Sequence, residues 1–375
     1  MKILFLTNIP APYRVEFFSL LGVSCDLTVL YEMRFAKTRE KSWLSTQAKN
    51  YQEIYMRSYQ LVDDGGISID IFHYLKKNQY DFIIVGTHGT PTAKLAMLYM
   101  RLCRIPYILN IDGMLSDEIH EKSKLNGFLR KMMFQGASAY ITSGKDTIKY
   151  LNDLGVESPY MYTYHFTSIK EKDILKKIIP VDQKKRLKAC LGIVESKMII
   201  SVSRFIPEKG LDLLIKAFSK IASSDNALVL IGGSRDVYEP ILESIPEEIS
   251  SRIYFPGFMD KESLYRYYNA ADIFVLPTHH DAWGLVLNEA ISCGLPLITT
   301  NRCGAGLEMI QPDENGILVD HTDIDALTVA LDKLLGDAEL RLYMATQNLK
   351  LAHKYTIEQM VKDHLQIFKE LSEKI

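Results

Sequence analysis

Short apolar runs punctuate the chain at 2–7, 26–31, 80–86, 106–111, 139–142 and near Tyr160, and again at 198–203, 227–231, 252–255, 272–276, 296–300 and 316–320. Most of them lead through a loop into a stretch whose apolar residues fall at helical spacing: 15–21, 67–77, 92–103, a helix ending at Leu154, one opening at Leu211, 261–269, one ending near Gly294, and 357–374. An apolar run without alternation reads as a strand buried on both faces. Strand, loop, helix and strand in repetition predict doubly wound parallel α/β folding. At 375 residues the chain is long for one domain, so two are expected, at 1–165 and 198–356. Between them, the charged and lysine-rich stretch 166–197 reads as a linker leading into the second domain. Residues 34–66, with Trp43 and Asp63-Asp64-Gly65-Gly66, are polar and carry no clear pattern.

The candidate chemistry concentrates in 277–296, PTHHDAWGLVLNEAISCGLP. A loop with two histidines and Asp281 follows the strand at 272–276, then comes Gly284, then an apolar helix. A loop feeding a helix start leaves backbone N–H groups free at a positive helix end, where an anion fits. Asp281 and Glu289 are eight residues apart, which puts Asp281 in the loop and Glu289 about a turn into the helix. Two carboxylates beside such a helix start suit a ligand with both phosphate and hydroxyls, such as a nucleotide sugar. Upstream, the strand at 198–203 empties into Arg204-Phe-Ile-Pro-Glu-Lys209-Gly210. Two cations spaced this way before a helix suit the charge that develops on a departing diphosphate.

In the first half, the loop Asn8-Ile-Pro-Ala-Pro-Tyr13-Arg14 is stiffened by its prolines. Tyr13 and Arg14 are candidates for facing an acceptor, although Arg14 reads equally as half of a surface ion pair. His88 and Asp112 lie just past predicted strand ends, where open α/β sheets bind ligands. His88 reads equally as a turn or helix-cap residue. Asp323 and Asp325 sit at a helix start and read as a cap rather than a metal pair.

Asp281-Ala-Trp283-Gly284-Leu-Val-Leu-Asn-Glu289 resembles the signature of the family-four retaining glycosyltransferases, with Asp281 shortening the more usual glutamate. Arg204 and Lys209 match that family's second signature. The resemblance implies the GT-B fold, α/β with two Rossmann-like domains facing across a cleft, and a final helix at 357–375 that returns to the first domain. It implies that Arg204 and Lys209 hold the diphosphate, helped by the backbone around Gly284 and Leu285. Glu289 would accept from the ribose hydroxyls, Asp281 would hold the transferred sugar, Trp283 would belong to the donor site, and Phe258 would pack near the base. Relatives present a histidine at about the place of Asp112, so here either His88 or Asp112 takes that part. Relatives also carry a Gly-Gly pair where this chain has Pro10-Ala11-Pro12. The implied reaction is metal-independent, needs no cofactor, and moves a sugar from a nucleoside-diphosphate sugar to a saccharide or lipid-linked acceptor with retention. Assembly of a bacterial surface polysaccharide is the setting that the family suggests.

Bulk properties narrow the alternatives. A net charge of −2 gives no general attraction to nucleic acid. Five scattered cysteines fit reduced thiols in a cytoplasmic protein, and they show no zinc spacing. The start, MKILFLTNIP, is too short an apolar run for a signal peptide, and no stretch is long enough to span a membrane. The segment 121–135, EKSKLNGFLRKMMFQ, reads as a helix with a solvated basic face or as a peripheral contact with anionic lipid at the inner face of the plasma membrane. Among enzymes, an epimerase would need further carboxylates and a phosphorylase a cofactor lysine, neither of which is visible. A non-catalytic nucleotide-sugar-binding regulatory subunit is the competing reading from another class. The presence of Arg204, Lys209, Asp281 and Glu289 together counts against it.

Overall fold

The computed structural model describes residues 1–35, 49–62, 65–116, 130–221 and 224–374. The chain forms two compact units, Met1–Thr167 with Thr356–Ile375, and Ser168–Tyr355. In the first unit the strands are β1 (Lys2–Thr7), β2 (Asp26–Tyr31), β3 (Gln52–Tyr55), β4 (Tyr59–Val62), β5 (Gly65–Ile67), β6 (Phe82–Val85), β7 (Ile108–Ile111), β8 (Ala139–Thr142) and β9 (Met161–Thr163). Seven of them make one sheet in the order β3-β2-β1-β6-β7-β8-β9. Every pairing in it is parallel. The order reverses between β1 and β6, so the loops after these two strands flank the crevice where such sheets take ligands.

Both faces of this sheet are covered, which is why its central strands carry unbroken apolar runs. One face packs Leu4, Leu6, Val85 and Leu109 against Ala93, Met97 and Met100 of the helix Pro91–Leu102. The C-terminal helix Ile357–Lys374 belongs to the same unit, with Phe368 stacked on Phe82 at 5.3 Å and His364 tilted on Phe17 at 4.8 Å between ring centres.

Two parts of the first unit differ from the pattern-based expectation. The helix predicted over 67–77 shrinks to Ile71–Tyr74, because Gly65–Ile67 pairs antiparallel with Tyr59–Val62 as a separate hairpin. Glu32, fully buried at the end of β2, ties that hairpin to the loop after β6. It accepts from the Gly66 N–H at 3.2 Å and from the Thr90 hydroxyl. β3 and β4 escape the pattern because they are short and open to solvent, β4 along its whole length, and β5 because its buried residues are two glycines. Trp43, Asp63, Asp64 and residues 121–129 of the basic segment lie outside the described residues.

The second unit has one six-stranded sheet, built from β10 (Lys197–Val202), β11 (Asn226–Ile231), β12 (Ile253–Gly257), β13 (Ile273–Leu276), β14 (Leu297–Thr300) and β15 (Gly316–Val319). Its order is β12-β11-β10-β13-β14-β15, again parallel throughout, with the reversal between β10 and β13. The expected linker is part of this unit from Ser168 onward and contains the helix Val181–Cys190. Two of its lysines are turned inward. Lys188, buried, places Nζ 2.7 Å from the Asp272 carboxylate beside β13, and Lys184 donates to the Ala271 carbonyl at 2.5 Å. Two ammonium groups thus pin the helix to the foot of the sheet, which composition alone disguised as a linker.

Candidate active site

The two loops at the second sheet's reversal point carry the sequence signatures, and their backbones are interlocked. After β10, residues Pro207–Lys209 make one 3₁₀ turn, and Gly210 takes φ +62° before the helix Leu211–Ser219. A Cβ at Gly210 would collide with the carbonyl oxygen of Pro277, so only glycine lets the two loops approach this closely. The Glu208 carbonyl accepts from the His279 N–H and from the Thr278 hydroxyl, each at 2.8 Å. On its other side the loop after β13 is paired with the chain after β14. Asp281 N–H donates to the Arg302 carbonyl at 2.9 Å, and Gly304 N–H donates to the Asp281 carbonyl at 3.1 Å.

Gly284, at φ +96°, starts the helix Leu285–Ser292 without any side-chain cap. The first N–H groups of that helix have no intrahelical acceptor, so they remain available to an anion. Arg204 is exposed and makes no ion pair among the described residues. Lys209 lies 2.7 Å from Asp281, and its Nζ also donates to the His280 carbonyl at 3.2 Å. The side chains expected to hold phosphate and sugar hydroxyls are therefore joined to each other. Asp281 is further oriented by the Trp283 N–H, at 3.3 Å.

Glu289 faces inward from the second turn of the helix. Its carboxylate accepts from the Tyr268 hydroxyl at 3.0 Å and from the Ser168 hydroxyl at 3.4 Å. Burial raises its proton affinity, and the Tyr268 hydrogen bond works against that rise. Tyr268 and Ser168 were not visible as site residues. The first lies in a helix read only as amphipathic, and the second in the supposed linker.

Two expected donor contacts stand differently. Trp283 is 4% exposed, and its indole N–H donates to Asn288 Oδ1 at 3.0 Å, so the side chain is a packing residue and not a surface for a ligand. The reason is physical: a large aromatic ring two positions past a loop carboxylate finds more contact inside the unit than outside it. Phe258 is 58% exposed just past β12. Asp323 accepts from the Ala326 N–H at 2.8 Å and caps the helix Ile324–Gly336.

The first unit has its own charged cluster at the carboxyl ends of its strands. Arg14, 2% exposed, is not the surface or acceptor-facing residue that its loop position suggested. It forms an ion pair with Asp112 Oδ1, and the Tyr164 hydroxyl donates to the same oxygen at 2.6 Å. Burial pulls the Arg14 pKa down, but Asp112 and then Tyr164 and Tyr13 outweigh it, so the guanidinium is held charged. Removing one member of such a pair leaves an uncompensated buried charge, at a cost of about 3–5 kcal/mol. Tyr13 packs edge-on against Phe166 at 5.6 Å. His88 is half-buried against Phe134, with ring centres 5.3 Å apart. Burial first, then the nearby Arg130 and Lys94, lower its pKa to about 4, so it is neutral near pH 7.

Comparison with known proteins agrees with this geometry. Residues 183–350 match the family described as glycosyl transferases group 1. An uncharacterized glycosyltransferase of Methanocaldococcus jannaschii is 25% identical over 78% of this chain and 76% of its own length. A GDP-mannose-dependent monoacylated alpha-(1-6)-phosphatidylinositol monomannoside mannosyltransferase of Corynebacterium glutamicum is 32% identical, over only 41% of this chain and 42% of that protein. Among solved structures, Anabaena HepE in complex with UDP superposes with a TM-score of 0.78 at 18% identity over the whole of both chains, a likeness of GT-B fold. Residues 183–350, which lie within the second unit, are thus similar to the group 1 glycosyl transferases.

Proposed function

We propose that the protein moves a sugar from a nucleoside-diphosphate sugar to a hydroxyl of a saccharide or lipid-linked acceptor, with retention at the anomeric carbon and without a metal ion. The observation that carries the donor side of this reading is the meeting of Arg204, Lys209, Asp281 and the uncapped start of Leu285–Ser292 at the reversal point of the second sheet. Arg204 and Lys209 bind the diphosphate together with the Leu285 and Val286 N–H groups, as a helix start and two cations would. On binding, Lys209 moves its charge from Asp281 to phosphate, which leaves Asp281 to accept from the sugar hydroxyls. Glu289, held by Tyr268 and Ser168, accepts from the ribose hydroxyls. The C–O bond to the phosphate breaks as the acceptor oxygen bonds the anomeric carbon on the same face. The departing phosphate oxygen takes the acceptor's proton, so no side-chain nucleophile is required. As charge builds on that phosphate, the fixed donors around it stabilise it more than they stabilise the bound donor.

The monoacylated phosphatidylinositol mannoside named for the corynebacterial relative supports a lipid-linked acceptor, and the setting we propose is surface polysaccharide assembly. No helix among the described residues is long and apolar enough to cross a membrane. The basic segment 121–135 is the part of the sequence we propose for peripheral contact with an anionic surface. The test of the chemistry is the anomeric configuration of the first product by NMR. Retention is expected, and an inverted product would overturn the mechanism.

A further inference from the structure

We propose that the ion pair of Lys209 and Asp281 makes the second unit's site favour an intact sugar nucleotide over the bare nucleoside diphosphate, so that the spent donor is released once its sugar has left. This rests on the glycosyl-transfer reading above. Lys209 Nζ lies 2.7 Å from Asp281 Oδ2, and the two side chains are 13% and 22% exposed. Among the described residues neither has another charged partner. One positive charge therefore serves both a carboxylate and, on the proposed reading, the diphosphate.

The carboxylate cannot withdraw. Its backbone is held on both sides, by the Arg302 carbonyl at 2.9 Å and the Gly304 N–H at 3.1 Å, and its Oδ1 accepts from the Trp283 N–H at 3.3 Å. Lys209 is the adaptable partner, an ammonium on a flexible four-carbon stem. It donates to Asp281 and to the His280 carbonyl, which leaves one of its three protons for a phosphate oxygen. A diphosphate that draws on this charge leaves Asp281, fixed and partly buried, short of its counter-charge. Hydroxyls of the attached sugar make up that loss, because a carboxylate accepts from neutral hydroxyls. The bare diphosphate offers Asp281 no such hydroxyl and adds negative charge beside it. Asp281 thus works for the sugar nucleotide and against the product, and the selectivity is a difference between two affinities.

The test is calorimetric titration of the full chain, without acceptor, with UDP, GDP, dTDP and ADP and with their sugar conjugates. The nucleotide that binds is then carried into Asp281→Asn, Lys209→Met and the double variant. Asp281→Asn should bind the nucleoside diphosphate about tenfold more tightly and the sugar nucleotide no more tightly than wild type. A gain of affinity is a result that general loss of structure does not give. Beside Lys209→Met the gain should shrink to within about twofold, since the contested charge is gone. If Asp281→Asn does not fold, Asp281→Ser takes its place, as it keeps an oxygen for the Trp283 N–H. No gain for the nucleoside diphosphate in a folded variant would overturn the inference and leave the donor reading standing, and so would a gain that survives in full beside Lys209→Met. A wild-type chain that binds none of the sugar nucleotides would remove both.

Discussion

Glu289 occupies a place that penalises its charge and at the same time supplies hydroxyls to it. Burial raises its proton affinity, while Tyr268 and Ser168 hold the carboxylate in one orientation. On the proposed reading this fixes the acceptor oxygens before ribose arrives, so little ordering remains to be done on binding. Trp283, six residues earlier, illustrates the opposite outcome: a signature residue whose side chain serves the interior. Trp283→Phe should remove the buried hydrogen bond to Asn288 Oδ1 and open a small cavity, lowering stability by about 1–3 kcal/mol in urea unfolding. Nucleotide affinity should stay within about twofold in the same variant. A large loss of affinity without loss of stability would make the indole a donor contact after all.

At the scale of elements, the C-terminal helix ties the first unit's stability to pH. His364 is fully buried, with Nδ1 2.7 Å from the Met360 carbonyl and Nε2 without a partner among the described residues. Its pKa is lowered from the ordinary 6.5 to about 4, chiefly by burial, with the nearby Arg14 adding to the fall. The unfolded chain therefore takes up the proton first. The stability this histidine contributes is complete above pH 6.5 and is lost as pH falls toward 4, at up to about 1.4 kcal/mol per pH unit. His88 acts in the same direction. His364→Phe should keep the ring contacts with Phe17 and Tyr164, remove the orphaned nitrogen and flatten part of the acid slope. Chemical denaturation at pH 7 and pH 5 checks this. An unchanged slope would show that the helix is not the sensor.

Across the whole molecule, legibility followed burial and spacing. The central strands were readable because both faces of each sheet are covered, which writes unbroken apolar runs into the sequence. The placement of Arg204, Lys209 and Asp281 in loops and of Glu289 inside a helix was readable because a strand, a glycine and a helix fix their spacing. The hairpin of Tyr59–Val62 and Gly65–Ile67 was not, since its strands are short, the first faces solvent and the second buries two glycines. Nor was the buried role of Lys184 and Lys188, because a lysine-rich run looks the same whether its ammonium groups meet water or Asp272. Tyr164 and Tyr268 lie 52 and 21 residues from the carboxylates they hold, a separation that no local pattern reports.

The central claim is that the second unit binds a nucleoside-diphosphate sugar at its reversal point, and thermal unfolding with UDP-, GDP-, dTDP- and ADP-sugars tests it most directly. A donor present at 100 times its Kd should add about 2.7 kcal/mol of stability to the wild-type chain. The account predicts such a shift for one nucleotide and its loss in Glu289→Ala. A shift that survives undiminished in Glu289→Ala, or no shift with any of the four, would contradict it.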